Sequence, residues 1–431
     1  MRSTVRRATL LALALLLAAC GSDSTPSASV AAAPPPAPRS RARDPELAPV
    51  IAALEAGRGD HALELLERVD GFEAACLRAR AFTLEGDAVA ALRNIEDARA
   101  LAPDHPELYA TQAEILTLLG RLPGAADALE EGLKRCGNDP ALERARGVIE
   151  LATSGRAKQG LEALERARAH DSTLPFLAWP LSQGHLLVGR SILQDQPLEA
   201  LAQARAAQLT APGSTDAREL EAEALTGALR LEEAIAVYEA LEREGKDYGE
   251  TPAVLHQRCA TLKLLEHDRS GAVEHYLAAR AGGLSRDTLG FGNEILAEEA
   301  DSALERGIAR AEAEDWKAAE SEFRRARELE PDSLEAWNHV GVACFQQRDY
   351  SGAIEAWEGV LERAGRSGTK LPDPVALNLA RAQRLAGRPE DARTVLDRFL
   401  DGEPEGPWSD EARGLLEALE AEALAVQPAG R

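Results

Sequence analysis

Small and bulky apolar residues recur along this chain at helical spacing, interrupted by short polar turns. The clearest example is a stretch in which Ala319, Phe323, Ala326 and Pro331 are each matched 34 residues later, by Ala353, Trp357, Val360 and Gly365. Gly307 and Gly341 show the same offset, as do Asp315-Trp316 and Asp349-Tyr350. Apolar positions three and four residues apart form one face of a helix, and the polar turns break the pattern into pairs of helices. The pattern therefore predicts stacked helical hairpins.

A small residue marks the second helix of each predicted hairpin. It falls at Ala62, Ala91, Ala125, Gly160, Ala200, Ala234, Ala272, Ala319, Ala353 and Ala392. Two antiparallel helices approach closely only where small residues face each other, and a larger side chain four residues on fills the space beside them. Examples of this larger side chain in different hairpins are Phe323, Trp357 and Leu396. We assign the packing of the hairpins chiefly to Ala91, Ala125, Ala319, Phe323, Ala353, Trp357 and Ala392.

The period of 34 residues and the small–large–small pattern resemble the tetratricopeptide repeat. This resemblance implies an all-α fold, a solenoid of about ten helical hairpins forming a right-handed superhelix, with a C-terminal capping helix. It divides the body into an N-terminal segment, 46–284, a connecting helix or break, 285–300, and a C-terminal segment, 301–403. A capping helix from Ser409 to Val426 and a tail occupy 404–431, since solenoids need their last apolar face covered.

The first residues have the features of an export signal. Arg2, Arg6 and Arg7 precede an apolar run, Ala8–Ala19, that is too short to span a bilayer. The run ends in Leu17, Ala18, Ala19 and Cys20, which resemble a bacterial lipoprotein lipobox, so 1–19 is predicted to be a signal peptide and Cys20 to be acylated. An ordinary signal peptide with an incidental cysteine is the alternative. Residues 20–45 are rich in Pro, Ala and Ser and are predicted to form a disordered tether.

The lipobox resemblance also implies a location. Gly21 follows the cysteine where an Asp would favour retention at the inner membrane. We therefore expect an envelope protein that is lipid-anchored at the outer membrane and faces the periplasm.

Charge and motifs argue against several functions. The net charge is −23, and it becomes −26 if residues 1–19 with their three arginines are removed, so the body should repel nucleic acid. The string from Gly184 to Ser191 approaches a phosphate-binding loop but lacks the lysine and the preceding strand, and no nucleotide is expected. His256 and Cys259 share a helix face, but His267 and His275 would have to reach them from different helices with no acid to orient them, so a metal site is not expected. We predict no cofactor, no metal and no enzymatic activity.

A concave surface lined by the first helix of each hairpin is the expected binding site. In the C-terminal segment the groove positions fall on Asn338, Val342, Phe345, Leu377, Arg381 and Arg384. Amide and guanidinium groups beside an aromatic ring suit an extended peptide. The same positions in the middle of the chain give Asp216, Glu219 and Glu223, which would favour a basic partner. A groove that only stacks helices, with binding at a loop or edge, is the alternative.

The expected function is a non-catalytic, lipid-anchored envelope scaffold that binds proteins or peptides. By resemblance to tetratricopeptide lipoproteins it would assist outer-membrane assembly, secretion or polysaccharide export. The alternative is an accessory protein that binds a glycan or a peptidoglycan fragment. The fold alone does not decide between them.

Overall fold

The computed structural model describes residues 45–369, 374–402, 405–406 and 408–426, and within them every regular element is helical. The predicted signal peptide and lipobox, Leu17 to Cys20, lie outside the described residues. After a short 3-10 turn at Pro45–Leu47 there are 22 helices in the described chain. The first eleven are α1 (Ala48–Glu55), α2 (Gly59–Leu65), α3 (Phe72–Leu84), α4 (Ala88–Leu101), α5 (Pro106–Leu118), α6 (Leu122–Cys136), α7 (Pro140–Ala152), α8 (Ala157–His170), α9 (Ala178–Ile192), α10 (Pro197–Thr210) and α11 (Thr215–Gly227). The others are α12 (Leu231–Arg243), α13 (Thr251–Leu265), α14 (Arg269–Ala281), α15 (Arg286–Leu289), α16 (Phe291–Glu312), α17 (Trp316–Leu329), α18 (Leu334–Gln346), α19 (Tyr350–Ser367), α20 (Val375–Leu385), α21 (Pro389–Gly402) and α22 (Ser409–Val426).

These helices pair into ten hairpins, with α15 and α22 left over, which confirms the predicted helical-hairpin fold. The chain forms two compact units, one ending at Pro180 and one beginning at Leu181. The boundary falls in the first turn of α9, after the fourth hairpin. None of the described helices is long and apolar enough to cross a bilayer.

In nine of the ten hairpins, the turn between the two helices contains one residue with a left-handed backbone. Glycine supplies it in five hairpins, at Gly57, Gly86, Gly120, Gly155 and Gly387, with φ between 71° and 79°. Four other hairpins adopt the same conformation without glycine, at Leu229, His267, Glu314 and Arg348. In three of these four, Asp268, Asp315 or Asp349 follows and caps the second helix by accepting a backbone N–H.

In two consecutive hairpins, the helices meet where a glycine faces an aromatic ring. A Cβ atom on Gly341 would lie 2.6 Å from Trp357, and one on Gly307 would lie 2.4 Å from Phe323. The side chains assigned to hairpin packing are buried in both units, with 0 to 1% of each exposed, namely Ala91, Ala125, Ala319, Phe323, Ala353, Trp357 and Ala392. The absence of a side chain on the glycine therefore sets the distance between the helices.

Residues 285–300, where a connecting helix or a break was expected, contain α15 and the start of α16. Ile295 and Leu296 are buried in one cluster with Tyr276 and Leu329, so the core of the second unit continues through this region. The second of these helices, α16, continues from this region as the first helix of the next hairpin.

The last helix, α22, has the predicted bounds Ser409–Val426 and covers the final hairpin. Its Ala412 and Leu419 are buried against Ala392 and Leu396 of α21. This contact removes from water the apolar face that the next hairpin would cover in a longer array.

The contact between Gly341 and Trp357 gives a direct test of hairpin packing. Gly341→Ala is expected to lower the free energy of unfolding by roughly 1–3 kcal/mol, because the added methyl group would overlap the indole ring. The measurement is urea unfolding followed by tryptophan fluorescence.

The matched control is Gly365→Ala in α19, where a Cβ atom would have no neighbour within 4 Å. This change should be neutral or raise stability by up to about 1 kcal/mol, since alanine favours helix more than glycine does. Equal losses in both variants would contradict the packing described here.

Candidate peptide-binding grooves

The predicted groove of the C-terminal segment keeps three of its six residues on an accessible surface. Asn338, Val342 and Phe345 lie on α18 and are each half-buried. The Asn338 side-chain oxygen accepts a hydrogen bond of 2.9 Å from Trp357 Nε1. The Phe345 ring packs at 5.6 Å from the Tyr350 ring and at 5.9 Å from that of Trp357. These residues offer an amide and apolar surface on a rigid helix.

The other three residues face the capping helix. Leu377 is 0% exposed and lies in a cluster with Leu396 and Leu419, so its assignment to the groove was wrong. Arg381 forms an ion pair with Glu411, and Arg384 forms one with Glu422, whose Oε2 lies 3.3 Å from Arg384 Nε. The capping helix occupies the side of α20 on which a further hairpin would pack, and its acids neutralise both guanidinium groups.

The acidic positions in the middle of the chain lie along α11 as predicted by helical spacing. Asp216 lies 4.0 Å from Arg190, and Glu219 Oε1 accepts a hydrogen bond of 2.8 Å from the Tyr248 hydroxyl. Burial and the carboxylate of Glu219 raise the pKa of Tyr248 to about 12. Two of the three acids therefore already have partners within the chain.

Two other sequence features occupy ordinary helical positions. Gly184–Ser191 lies within α9, where a Cβ atom on Gly189 would lie 2.7 Å from Leu220, so this glycine serves helix packing. His256 and His275 meet through their Nδ1 atoms at 2.9 Å. No group of three or more His, Cys, Asp or Glu side chains in the described chain is arranged to hold a metal ion.

The first unit contains a groove that the sequence analysis did not identify. The first helices of its hairpins bring four charged side chains together: Arg80 on α3, Glu107 and Glu114 on α5, and Arg144 on α7. Arg144 Nε donates to Glu114 at 2.7 Å and its Nη2 donates to Glu107 at 2.9 Å. Arg80 Nη1 lies 2.7 Å from Glu114 and its Nη2 donates to Glu107 at 3.1 Å. We call these four residues the ionic cluster.

The ionic cluster is buried, and its charges depend on one another. Arg144 is 0% exposed and Glu114 is 5% exposed. Burial alone raises the pKa of Glu107, but the guanidinium groups of Arg144 and Arg80 outweigh it and lower that pKa to about 2. Burial lowers the pKa of Arg144, and the two carboxylates more than compensate, so that its pKa rises above its ordinary value. Removing any one member would leave an uncompensated charge.

A segment of the same unit, Asp171–Leu177, lies over the ionic cluster and connects α8 to α9. Arg144 Nη1 donates to the Pro175 carbonyl at 3.0 Å, and the Phe176 N–H donates to Glu55 Oε1 on α1 at 2.9 Å. The Arg80 guanidinium carbon lies 4.3 Å from the centre of the Phe176 ring. The first helices of all four hairpins therefore surround this segment or the ionic cluster beneath it. We call the surface formed by these four helices the N-terminal groove.

A signal for this groove was present in the sequence. The groove position that gave Val342 falls, in earlier hairpins, on Arg80 and Glu114, and Glu107 lies seven residues before Glu114 on the same face of α5. Arg144 was hidden because the turn between α7 and α8 is one residue longer, which shifts the register of that hairpin. No local sequence pattern predicts that Pro175 and Phe176 lie over the ionic cluster, because Phe176 contacts Glu55, which is 121 residues away in the sequence.

A comparison with known protein families agrees with the helical-hairpin geometry. The pattern of the tetratricopeptide repeat matches residues 76–140 in the first unit and 304–368 in the second. Both segments are tetratricopeptide repeats. Proteins with such repeats mediate protein–protein interactions and act as scaffolds. The first match includes Arg80, Glu107 and Glu114, and the second includes Asn338, Val342 and Phe345.

The solved structures that match this chain show low similarity to it. The TPR2AB-domain:pHSP90 complex of yeast Sti1 is 16% identical, with a TM-score of 0.27, over 56% of this chain and 98% of that one. Yeast Tom70 is 11% identical, with a TM-score of 0.26, over 89% of this chain and 96% of that one. No curated protein matches the chain.

The low pKa of Glu107 predicts a pH dependence of stability. Because the folded pKa of about 2 is below the ordinary 4.5, the ionised carboxylate stabilises the fold above about pH 4.5, and the contribution is lost as the pH falls toward 2. Glu107→Gln should therefore cost on the order of 2 kcal/mol at pH 7, and the difference from the wild type should narrow below about pH 4.5. The measurement is urea unfolding at several pH values.

Glu130→Gln is the matched control, because Glu130 is an exposed carboxylate on α6. Its effect should stay within about 0.5 kcal/mol at every pH. A cost for Glu107→Gln that did not depend on pH would show that lost packing, and not lost charge, explains the change.

Proposed function

We propose that this protein is a non-catalytic, lipid-anchored scaffold of a bacterial cell envelope that binds extended segments of other proteins in the grooves of its repeats. The observation that carries the proposal is the N-terminal groove, which holds a segment of protein, Asp171–Leu177, through its main chain and one aromatic ring. The partners would be envelope proteins engaged in outer-membrane assembly, secretion or polysaccharide export. Nucleic acids and nucleotides are not expected ligands.

The contacts in the N-terminal groove are of a kind that recognises peptides. Arg144 binds the carbonyl and Glu55 binds the N–H of the same peptide unit, between Pro175 and Phe176. Hydrogen bonds to the main chain give affinity independent of sequence, and a pocket for one side chain adds selectivity. Charged groups strengthen both hydrogen bonds.

The second unit offers another surface for the same function. Asn338, Val342 and Phe345 line one face of α18, and the neighbouring groove position on α16, Ile308, is 37% exposed. An amide beside apolar side chains can bind a peptide main chain and an apolar side chain of the partner. Arg381 and Arg384 are left out of this surface because the capping helix already pairs with them.

The anchor is proposed from the N-terminal residues. Leu17, Ala18, Ala19 and Cys20 have the lipobox order, and Gly21 favours the outer membrane. A tether of 25 residues, 21–45, would extend roughly 75 Å in a polyproline-like conformation. The repeats would then work in the periplasm at a distance from the lipid surface.

The anchor predicts membrane association that depends on one thiol. In the native host, Cys20→Ser should move the protein from the membrane fraction to the soluble periplasm, because the acyl chains have lost their attachment site. The measurement is cell fractionation with immunodetection. Cys136→Ser, which changes a half-buried thiol of the first unit, should leave the protein in the membrane fraction. Unchanged membrane association of the Cys20 variant would exclude this anchor.

Partner binding by the second unit can be tested by site-specific photo-crosslinking in living cells. A benzophenone amino acid at Val342 should give discrete adducts with envelope proteins, because this position lies on the groove face of α18. The same group at Glu358, exposed on α19, should give few adducts. Adducts of equal intensity at both positions would indicate random collisions, and none at Val342 would remove this surface from the proposal.

A further inference from the structure

The N-terminal groove is filled by its own chain. Arg144 is completely buried, and one of its hydrogen bonds ends on the Pro175 carbonyl, which belongs to a connection between two hairpins. The Phe176 ring packs on the apolar cluster of the first hairpins, which includes Val50, Leu54 and Leu77. An external peptide therefore cannot reach the Arg144 guanidinium or this apolar surface while Asp171–Leu177 stays in place.

The fit of this segment is imperfect. Phe176 has φ of 59°, a left-handed conformation that strains a residue with a side chain. Arg80 Nε is buried, and it has no hydrogen-bond partner among the described residues. An unpaired buried donor is costly, and the Phe176 N–H bond to Glu55 is exposed to water. The segment is retained partly because it is covalently attached, which gives it a high effective concentration at the groove.

The groove selects for a defined local structure. It binds one peptide unit from both sides, with Arg144 at the carbonyl and Glu55 at the N–H. It also takes the aromatic side chain that directly follows this peptide unit, under the Arg80 guanidinium at 4.3 Å. The apolar side chains below the ring and the cation above it favour an aromatic residue over an aliphatic one.

We propose that Asp171–Leu177 is an internal competitor for a partner segment, and that the N-terminal groove binds in its place an exposed peptide unit followed by an aromatic residue. This rests on the proposed function, because it assumes that the groove accepts protein segments. A partner peptide without the strain at Phe176 would bind by displacing the internal segment. Its apparent affinity would be reduced by the fraction of molecules in which the groove is filled.

The test measures binding of a fluorescein-labelled synthetic peptide with the sequence of residues 171–177 to the full chain, by fluorescence anisotropy. Phe176→Ala removes the internal ring and should bind this peptide at least about tenfold more tightly than the wild type, since less of the groove is filled. Ser172→Ala, at an exposed position of the same segment, should behave as the wild type. The peptide with alanine in place of its phenylalanine should bind to neither protein.

A second variant locates the binding. Adding Arg80→Leu to Phe176→Ala should return the affinity to the wild-type level or below, because the cation above the ring is lost. Circular dichroism and a thermal melt establish that each variant is folded. Peptide binding that is insensitive to Arg80→Leu would place the peptide elsewhere and overturn the proposal.

The wild-type chain gives an independent measurement that needs no mutation. Excess unlabelled peptide should accelerate hydrogen exchange of the Phe176 amide, because its hydrogen bond to Glu55 forms only while the segment lies in the groove. Equal peptide affinities for the wild type and Phe176→Ala, with no change in exchange, would disprove the competition but leave the groove able to bind peptides. Absence of peptide binding to the folded Phe176→Ala variant would disprove both the competition and peptide binding by the N-terminal groove. Asp171–Leu177 would then serve only to connect α8 to α9.

Discussion

The fold depends on how closely the two helices of a hairpin approach. At Gly341 and Gly307 the missing side chain lets an indole or a phenyl ring lie against the backbone of the facing helix. The ring then fills the space that the small residues around it leave open. Buried small residues such as Ala91 and Ala125 allow a close approach in other hairpins, and the first helices of successive hairpins lie side by side. A surface composed of first helices can then collect side chains from several hairpins.

The two groove surfaces show different uses of this arrangement. In the second unit, Asn338 and Val342 contribute to a mainly neutral surface. Its polar groups would lose little hydration when a partner binds. In the first unit, two arginines and two glutamates from the first helices of three hairpins are largely buried, and their mutual neutralisation makes the burial tolerable. Such a cluster seldom stabilises a protein more than apolar packing would. Its chemical advantage is orientation, since the carboxylates hold Arg144 with one N–H directed at a main-chain carbonyl.

Sequence patterns predicted the hairpins well because their determinants are local. Small residues, ring residues and turn glycines recur at a fixed period, and each acts on the neighbouring helix. The left-handed turns at Glu314 and Arg348 escaped glycine-based detection, since there the second helix and its aspartate cap impose the conformation. The burial of Leu377 depends on the capping helix, which was predicted to cover the last hairpin but not to bury this groove position. The position of Phe176 is set by a contact with Glu55 four hairpins away, which periodicity cannot reveal.

The capping helix determines how the stability of the C-terminal end depends on ionic strength. It is attached to the last hairpin by a small apolar contact and by ion pairs of Glu411, Glu420 and Glu422 with Arg381, Arg393 and Arg384, all partly open to solvent. Mobile ions screen such pairs, whereas they do not reach the ring contacts inside the hairpins. The C-terminus should therefore fray first when ionic strength rises, and unwinding of the array should begin at that end. An environment that is rich in salt would thus shorten the ordered solenoid before it weakened its centre.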